Sequence, residues 1–360
     1  MSVARPFRWA ILGTGEVSRR FVRDLHNAGG EAHVVASRNP ENASRFAESL
    51  SVPHVAKDYA QAVSRADVDA VYIATPPALH EPHAMMAIEA TKPVLIEKPF
   101  TMDATSALRV VQAARAAQIP CIEAMWSRFQ PFAQIATKMI AAGDLGEIRG
   151  FDARFMAANE PSEHSNLFNK GLGGGALLHR GVYPLSLARH FLGPVAQMYP
   201  VANIGQSGVD EESVLVLRHE NGALSTIRSS LCSVGDEGAF IAGTKATLHL
   251  SGPIYRPTGA VLIPTTQIKA GARGAPRKFE GLRESQFGLR LSGFVQTLRR
   301  HRKSKRIDVR LQGNGYHYQA KAMHDCIRNG LLEADEMPLD HSLEVMRLID
   351  EARASWEASS

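Results

Sequence analysis

Residues 8–18 read RWAILGTGEVS, and this stretch decides the fold expected for the first half of the chain. Residues 8–12 form a short, mostly apolar strand pattern, which Gly13-Thr14-Gly15 follows directly. A glycine-rich turn between a strand and a helix lets the backbone approach a pyrophosphate, whose charge the helix N-terminus offsets. Ser18 stands where a third glycine is usual, and a small residue still allows close packing there. The stretch predicts a dinucleotide site made by Gly13, Thr14, Gly15, Glu16 and Val17.

The alternation of apolar runs and amphipathic stretches continues to residue 124. Further apolar runs lie at 33–36, 70–74, 94–96 and 121–123, and amphipathic stretches lie at 18–28, 40–50, 79–90 and 104–117. Strands alternating with helices of this length indicate βαβ units and a parallel sheet covered on both faces. We therefore predict an α/β domain of the Rossmann type, with a doubly wound parallel sheet, at residues 1–124.

The pattern changes after residue 125. A helix is predicted at 132–142, a strand at 148–155, and a glycine-rich loop at 171–175 that opens a helix running to about 191. Strand-like segments then cluster at 196–203, 213–218, 224–230, 240–242 and 247–250. Clustered strands predict an α+β domain with an open, mainly antiparallel sheet at 125–360, which we assign to substrate binding and oligomerisation. Two final helices, at 316–329 and 342–356, are expected to pack back on the first domain.

Composition sets the class of protein. The chain has 360 residues, of which 44% are hydrophobic and 21% charged, so two globular domains are expected. No run approaches 18 apolar residues, and the N-terminus has no signal-peptide pattern, so we expect no membrane association. The three cysteines are far apart with no CxxC motif, which favours a reducing compartment and predicts a cytoplasmic protein.

The formal net charge of +5 is local rather than general. Residues 269–310 hold 13 Lys and Arg against 3 Asp and Glu, so the rest of the chain is net negative. The densest part, residues 299–306, could bind an anion or nucleic acid. Because no reader motif or interleaved aromatic residue accompanies it, we interpret it as a solvated loop and expect no nucleic-acid partner.

The end of the second strand indicates which dinucleotide binds. An NAD-selective site places a carboxylate there, on the ribose hydroxyls, whereas this chain has Ser37 and Arg38. A hydroxyl and a guanidinium suit a phosphate, and no carboxylate repels it. We therefore predict NADP(H) rather than NAD(H); the alternative is that Arg38 is a solvated surface residue.

Residues 94–100, VLIEKPF, place Glu97 and Lys98 at the carboxyl end of a buried strand. Open α/β sheets bind their ligands at this edge, so Lys98 is expected beside the nicotinamide. The alternative is a lysine that only pairs with a carboxylate. Pro99 after it could form a cis peptide bond.

Gly13-Thr14-Gly15, Glu97-Lys98-Pro99 and residues 173–183, GGGALLHRGVY, together resemble the Gfo/Idh/MocA oxidoreductase family. Residues 123–131, EAMWSRFQP, are similar to the segment of the dimeric dihydrodiol dehydrogenase and NADP-dependent D-xylose dehydrogenase group. The resemblance covers nearly the whole chain and is weakest at 255–312.

This resemblance implies hydride transfer between NADP(H) and a carbinol or carbonyl carbon of a sugar, a sugar derivative or a cyclic diol. It also implies a homodimer formed through sheet faces. In the family, the lysine that corresponds to Lys98 contacts the reacting oxygen, and the residue that corresponds to Tyr183 donates or accepts the proton. An ammonium beside a phenol lowers the pKa of the phenol, so we expect Tyr183 to be a better acid and base near neutrality. Without the motif, Tyr183 would be interpreted as an interface packing residue.

His179 departs from the family pattern, which has an aspartate four residues before the tyrosine. At i and i+4 of one helix, His179 and Tyr183 should point together into the cleft. A histidine can donate or accept a proton but cannot supply a permanent negative charge. The change leaves three outcomes open: altered pH dependence, an altered substrate, or lost turnover with retained cofactor binding. No second ligand is suitably spaced on this helix, so no metal is expected.

The remaining site candidates come from the same resemblance. Thr75, Pro76 and His80 are assigned to the cofactor, with a structural role as the alternative for His80. Trp126 and Arg128 are candidates for the substrate wall, because an indole packs on a sugar ring and a guanidinium binds hydroxyls. Core packing is the alternative for Trp126. A second reading of the whole chain is a catalytically weak or inactive NADP-binding sensor, which the retained Lys98 and Tyr183 oppose.

Overall fold

The computed structural model of the chain describes residues 5–162, 165–266, 285–286 and 304–358. Within these residues the strands form two sheets, one of six strands and one of eight. Each sheet belongs to a different half of the chain.

The first half forms a parallel sheet of six strands in the order β3-β2-β1-β4-β5-β6. The strands are β1 (Phe7–Leu12), β2 (Gly30–Ala36), β3 (His54–Val55), β4 (Ala70–Ile73), β5 (Val94–Glu97) and β6 (Cys121–Ala124). Helices alternate with them: α1 (Glu16–Leu25), α2 (Pro40–Leu50), α3 (Tyr59–Val63), α4 (His80–Glu89) and α5 (Ala104–Ala117). All residues of β4, β5 and β6 are buried, which explains why their sequences are runs of mostly apolar residues rather than alternating patterns. The predicted doubly wound α/β fold is confirmed.

The second half forms a mixed sheet of eight strands in the order β14-β13-β12-β11-β7-β10-β9-β8. The strands are β7 (Ile148–Met156), β8 (Val195–Ile204), β9 (Asp210–His219), β10 (Leu224–Ser230), β11 (Ala239–Gly243), β12 (Ala246–Leu250), β13 (Gly259–Pro264) and β14 (Lys305–Asp308). Strands β7 and β10 run parallel and the other neighbours pair antiparallel, which confirms the predicted open, mainly antiparallel sheet.

Helices pack on one face of this second sheet. They include a π-helix (Leu177–Gly181) and α8 (Val182–Leu192), which continues the π-helix. Helices α6 (Trp126–Phe129) and α7 (Pro131–Ala141) pack on α8. The opposite face is open: Tyr199 and Val201 of β8 are 62% and 68% exposed. Burial therefore alternates along strands such as β10, as expected for a sheet covered on one side.

The last two helices, α9 (His317–Asn329) and α10 (Leu339–Glu357), pack on the first domain, and α10 also packs on α8 and β8 of the second. Asp24 of α1 is buried and accepts hydrogen bonds from the backbone N–H and the Nδ1 of His317, at 3.0 and 2.8 Å. Burial alone raises the pKa of Asp24, but the hydrogen bonds from His317 outweigh it and hold the pKa at about 2. Asp350 of α10 accepts from the N–H of Ala104, at the start of α5, at 2.7 Å.

Several short elements differ from the sequence predictions. Strand β3 has two residues and α3 has five, which is too short for a periodic pattern, and β13 and β14 lie where no strand was predicted. The basic segment 299–306 lies outside the described residues up to 303, and its end is not a loop, since Lys305 and Arg306 belong to β14. Every helix in the described ranges is too short or too polar to cross a bilayer.

Candidate active site

A cleft of about 450 Å³ opens at the carboxyl ends of β1, β4 and β5. The strand order reverses between β1 and β4, and ligands of open α/β sheets bind at such a switch point. The cleft is lined by all twelve residues that the sequence assigned to the cofactor, and also by His179. The twelve are Gly13, Thr14, Gly15, Glu16, Val17, Ser37, Arg38, Thr75, Pro76, His80, Glu97 and Lys98. The structure thus brings these positions together, while their roles stay predictions.

The turn after β1 leaves room for a ligand to approach its backbone closely. Gly13 has φ of +103°, and a Cβ built on it would lie 2.6 Å from the carbonyl oxygen of Ala74. Gly15 is the N-cap of α1 and has nothing within 4 Å of a built Cβ, so this end of the helix is open. An open helix N-terminus beside a glycine cradle fits the pyrophosphate of a dinucleotide.

The far end of the cleft carries an exposed cation. The backbone N–H of Arg38 donates to the hydroxyl of Tyr59 at 3.0 Å, while its guanidinium makes no hydrogen bond or ion pair with the described residues. The hydroxyl of Thr14, in the turn after β1, donates to the hydroxyl of Ser37, which follows β2, at 3.3 Å. The arrangement leaves a guanidinium and a hydroxyl for a phosphate to bind.

Lys98 lies at the centre of the site. It follows the buried β5 and precedes a cis peptide bond to Pro99. Its Nζ donates to the backbone carbonyl of His179 at 3.0 Å and lies 4.8 Å from the centroid of the Tyr183 ring. Burial lowers the pKa of Lys98 to about 8, while the neighbouring Glu97 acts to raise it. The amine therefore changes its protonation state close to neutral pH.

Glu97 is the last residue of β5 and directly precedes Lys98. It is buried, and the Tyr72 hydroxyl donates to its Oε1 at 2.5 Å. Burial raises the pKa of Glu97 to about 7, against the hydrogen bond from Tyr72 and the charge of Lys98, which lower it. The carboxylate is thus held in place behind Lys98.

His179 lies in the π-helix rather than in a regular α-helix, and it lines the cleft. Burial, and then the nearby Lys98 ammonium, lower the pKa of His179 to about 3, so its ring is neutral at physiological pH. Its Nε2 makes no hydrogen bond with the described residues. His179 can therefore exchange hydrogen bonds with a ligand but brings no charge to it.

The pKa predicted for Tyr183 is wrong in direction. Burial is the largest effect and raises the pKa of Tyr183 well above its usual value. Lys98 faces the ring of Tyr183, and the phenol oxygen instead accepts from Trp126 Nε1 at 3.2 Å. Tyr183 is 7% exposed and is absent from the cleft lining, so it and His179 do not share one face of the cleft as predicted.

Trp126 belongs to a buried aromatic cluster. Its indole stacks on Tyr316 at a centroid distance of 4.3 Å and on Tyr255 at 5.7 Å. It is 4% exposed and does not line the cleft. In this structure Trp126 orients the Tyr183 hydroxyl rather than offering a face to a ligand.

Arg128 does not reach the cleft, which corrects its assignment to the substrate wall. Its guanidinium is buried and donates to Ser186 O at 3.1 Å, to His190 Nδ1 at 2.8 Å and to His341 Nδ1 at 3.3 Å. Burial lowers the pKa of Arg128 to about 9. Arg128 therefore joins α6 to α8 and α10.

His80 connects two walls of the cleft. Its ring nitrogens lie 2.8 Å from the carbonyl oxygens of Thr75 and Pro99. Burial lowers the pKa of the ring to about 4, against these two carbonyl contacts, which act to raise it. The imidazole holds the loop after β4 against the turn after Lys98. Its contacts are those of the structural alternative, at a position that also lines the cleft.

Sequence reasoning missed part of the cleft lining. Asn39, Asn42, Tyr59, Ala74, Pro77 and Leu79 also line it. Asn39 caps α2 through its side chain, and an N-cap directly after Arg38 was a usable signal. Tyr59 follows a strand of two residues and gave no signal.

One group of possible metal ligands exists in the described part of the chain, at His33, His54 and Asp67. None of them lines the cleft. Asp67 already pairs with Arg65 at 2.7 Å and with His33 Nε2 at 2.8 Å. The group is therefore separate from the cleft.

The chain matches two profiles of one family. The profile described as oxidoreductase family, NAD-binding Rossmann fold, matches residues 7–124, and that of the GFO/IDH/MocA C-terminal domain matches residues 133–249. Together they span most of the chain, including the whole first sheet, most strands of the second sheet and the lysine at the centre of the site.

Curated relatives match over nearly the full length. A trans-1,2-dihydrobenzene-1,2-diol dehydrogenase from Xenopus tropicalis is 25% identical over 96% of each chain. A D-xylose 1-dehydrogenase (NADP(+)) from Hypocrea jecorina is 26% identical over 98% of this chain and 93% of its own. Among solved structures, a 3-ketoreductase from Actinomadura kijaniata in complex with NADP and TDP-benzene has a TM-score of 0.79 at 23% identity, over 97% of each chain. This last similarity shows the fold.

The glycine turn predicts a loss of nucleotide affinity in Gly13→Ala. The new Cβ would meet Ala74 in a left-handed conformation that costs about 1–2 kcal/mol, so NADPH should bind roughly tenfold more weakly. Titration of NADPH fluorescence measures this. Gly143→Ala is the matched control, because Gly143 has φ of +71° but nothing within 4 Å of its Cβ. Equal affinities in wild type and Gly13→Ala would contradict a dinucleotide at this turn.

Proposed function

We propose that this chain, which belongs to the GFO/IDH/MocA oxidoreductase family, is an NADP(H)-dependent dehydrogenase or reductase that interconverts a carbinol and a carbonyl carbon. The family resemblance predicted from the sequence is confirmed. The substrate we propose is a sugar, a sugar derivative or a cyclic diol. When bound, the nicotinamide ring supplies or accepts the hydride.

One observation carries the proposal. The Nζ of Lys98 lies at the carboxyl end of β5 in the dinucleotide cleft, bonded to the His179 carbonyl and facing the Tyr183 ring. A protein that only binds a nucleotide has no need of a partly buried amine whose pKa lies near neutrality. This opposes the alternative of an inactive sensor, and no observation favours that alternative.

The residues of the cleft support NADP(H) as the cofactor. The open N-terminus of α1 and the turn at Gly13 suit the pyrophosphate, and Arg38 with Ser37 would hold a 2′-phosphate. The fungal relative named for NADP(+) supports the same choice.

Lys98 is our candidate for the group that holds the transferred proton at its Nζ. Its pKa of about 8 suits proton exchange near neutrality, whereas the raised pKa of Tyr183 keeps that hydroxyl protonated. Tyr183 then stays a neutral phenol, whose oxygen accepts from Trp126 and whose ring faces the Lys98 amine. His179, which is neutral, would exchange hydrogen bonds with a substrate hydroxyl through its free Nε2.

The proposed substrate class rests on hydroxyl chemistry and on the relatives. A neutral imidazole in the cleft, that of His179, suits the hydroxyls of an uncharged polyol. The relatives are named for a dihydrodiol and for D-xylose, which are both uncharged compounds with neighbouring hydroxyls.

We also propose a homodimer that forms through the open face of the second sheet. Exposed apolar side chains cluster on adjacent strands of that face: Tyr199 and Val201 of β8 and Val216 of β9. Apolar patches of this kind mark association surfaces in soluble proteins. A cytoplasmic location remains our proposal from three cysteines that form no disulfide.

The proposed activity predicts NADP⁺ reduction with at least one compound in a panel of aldoses, cyclitols and cyclic diols. Lys98→Met should lower kcat by roughly 10²-fold or more, because the proton-transferring group is lost, while NADPH still binds. Initial rates at 340 nm measure this. Lys92→Met is the matched control, since the Lys92 ammonium also donates to a carbonyl, that of Val68 at 2.8 Å, but lies outside the cleft. If the protein binds NADPH tightly but shows no rate with any compound of the panel, the proposed activity is contradicted.

The cofactor assignment predicts that Ser37→Asp reverses the preference between NADPH and NADH. A carboxylate at residue 37 repels the 2′-phosphate and accepts from ribose hydroxyls, so the affinity ratio should shift by roughly tenfold or more. Ser44→Asp places the same charge on α2, outside the cleft lining, and should leave the ratio unchanged. An unaltered ratio in Ser37→Asp would rule out the assignment.

The pKa of Lys98 predicts the pH dependence of turnover. Oxidation needs a neutral amine to accept the hydroxyl proton, so its kcat/KM should rise as pH increases through about 8. Reduction needs the ammonium as donor and should fall over the same range. Rate profiles from about pH 6 to 10 measure both, and the inflection should persist in Tyr183→Phe and vanish in Lys98→Arg. The opposite result would assign the proton to the tyrosine.

A further inference from the structure

The π-helix at Leu177–Gly181 holds His179 against Lys98, and a buried carboxylate lies at its start. Asp210 is the first residue of β9 and is 4% exposed. Its Oδ2 accepts a hydrogen bond from the backbone N–H of Leu177 at 2.7 Å. Leu177 is the first residue of the π-helix, so its N–H has no carbonyl of a preceding turn to bind. The second sheet thus supplies the acceptor that this helix start needs.

The second oxygen of the same carboxylate packs on Gly175. Gly175 has φ of +123°, and a Cβ there would collide with Asp210 Oδ1. The N–H of Gly175 donates to Leu167 O at 2.9 Å, which closes the loop before the helix. Asp210 therefore contacts the backbone on both sides of Ala176, where the chain turns from loop into helix.

Two hydrogen bonds connect this turn to the reacting end of the cleft. The N–H of His179 donates to the carbonyl of Gly175 at 3.1 Å. The carbonyl of His179 in turn accepts from Lys98 Nζ at 3.0 Å. A shift of the turn at Gly175 would therefore move both the carbonyl that holds the Lys98 amine and the ring of His179.

We propose that Asp210 is a positioning residue, whose carboxylate fixes the start of the π-helix so that the His179 carbonyl and ring meet Lys98 in the cleft. The proposal rests on the proposed function, because it concerns the same lysine. Asp210 itself does not line the dinucleotide cleft. It acts through Gly175, Leu177 and His179.

What matters in this role is a hydrogen-bond acceptor rather than a negative charge. Burial raises the pKa of Asp210 to about 6, and a protonated carboxyl keeps a carbonyl oxygen that can accept from Leu177. An asparagine keeps that oxygen and nearly the same shape. An alanine removes it and leaves the N–H of Leu177 buried without its partner.

The test compares Asp210→Ala with Asp210→Asn. Asp210→Ala should lower kcat by roughly tenfold or more, because a small displacement of the reacting groups slows the reaction strongly. The Kd of NADPH should change by less than about threefold. Asp210→Asn should restore kcat to within about threefold of wild type. Asn221→Ala is the control for lost stability. The side-chain amide of Asn221 accepts from Ala223 N and donates to Leu192 O, at the other end of β9. The variant should therefore lower Tm without lowering kcat.

Crystal structures of wild type and Asp210→Ala give a measurement that needs no substrate. The contact between Lys98 Nζ and His179 O should be lost or lengthened in the variant. An unchanged contact, a kcat equal to wild type in Asp210→Ala, or a failure of Asp210→Asn to restore kcat would overturn the positioning role. A broken contact in a protein whose wild type turns over nothing would uphold the positioning role and overturn the proposed activity instead.

Discussion

The site depends on one constraint: a partly buried ammonium group between the two sheets must be given acceptors. Moving a charged amine out of water costs several kcal/mol unless nearby groups compensate. The first domain brings Lys98 to the end of β5, where the charge of Glu97 acts on its amine, and the second domain supplies an acceptor, the His179 carbonyl at 3.0 Å. Neither half completes the arrangement alone. The requirement explains why the glycine-rich loop and the π-helix of the second domain fold against the carboxyl edge of the first sheet.

The first domain and the cofactor half of the site could be predicted from the sequence because their signals are local. Buried parallel strands are short apolar runs, and a parallel sheet places all its carboxyl ends on one edge. Residues as distant in sequence as Gly13 and Lys98 therefore meet in one cleft without any need to know their contacts. Tyr59 escaped prediction because the strand before it has two residues and carries no periodic pattern.

The other half of the site depends on contacts between distant segments, which sequence patterns do not contain. Arg128 appears in a family motif, yet its direction is set by Ser186, His190 and His341. The pKa of Tyr183 was predicted from one neighbour, Lys98, whereas burial by the surrounding aromatic side chains decides it. Likewise, the spacing of His179 and Tyr183 suits an α-helix, but the chain forms a π-helix there. Burial and helix type are collective properties of the folded chain.

The π-helix has a consequence for how sequences of this kind should be aligned. A π turn holds one residue more than the α turn it replaces, and each residue of an α-helix advances the chain by about 100° around its axis. Loss of a single residue from Leu177–Gly181 would let the segment relax into an α-helix and rotate α8, with Tyr183, by that angle away from Lys98. The length of this turn is thus as informative as its side chains. A relative that kept both Lys98 and Tyr183 but lacked one residue between Gly175 and Val182 would keep the two residues but lose the contact between them.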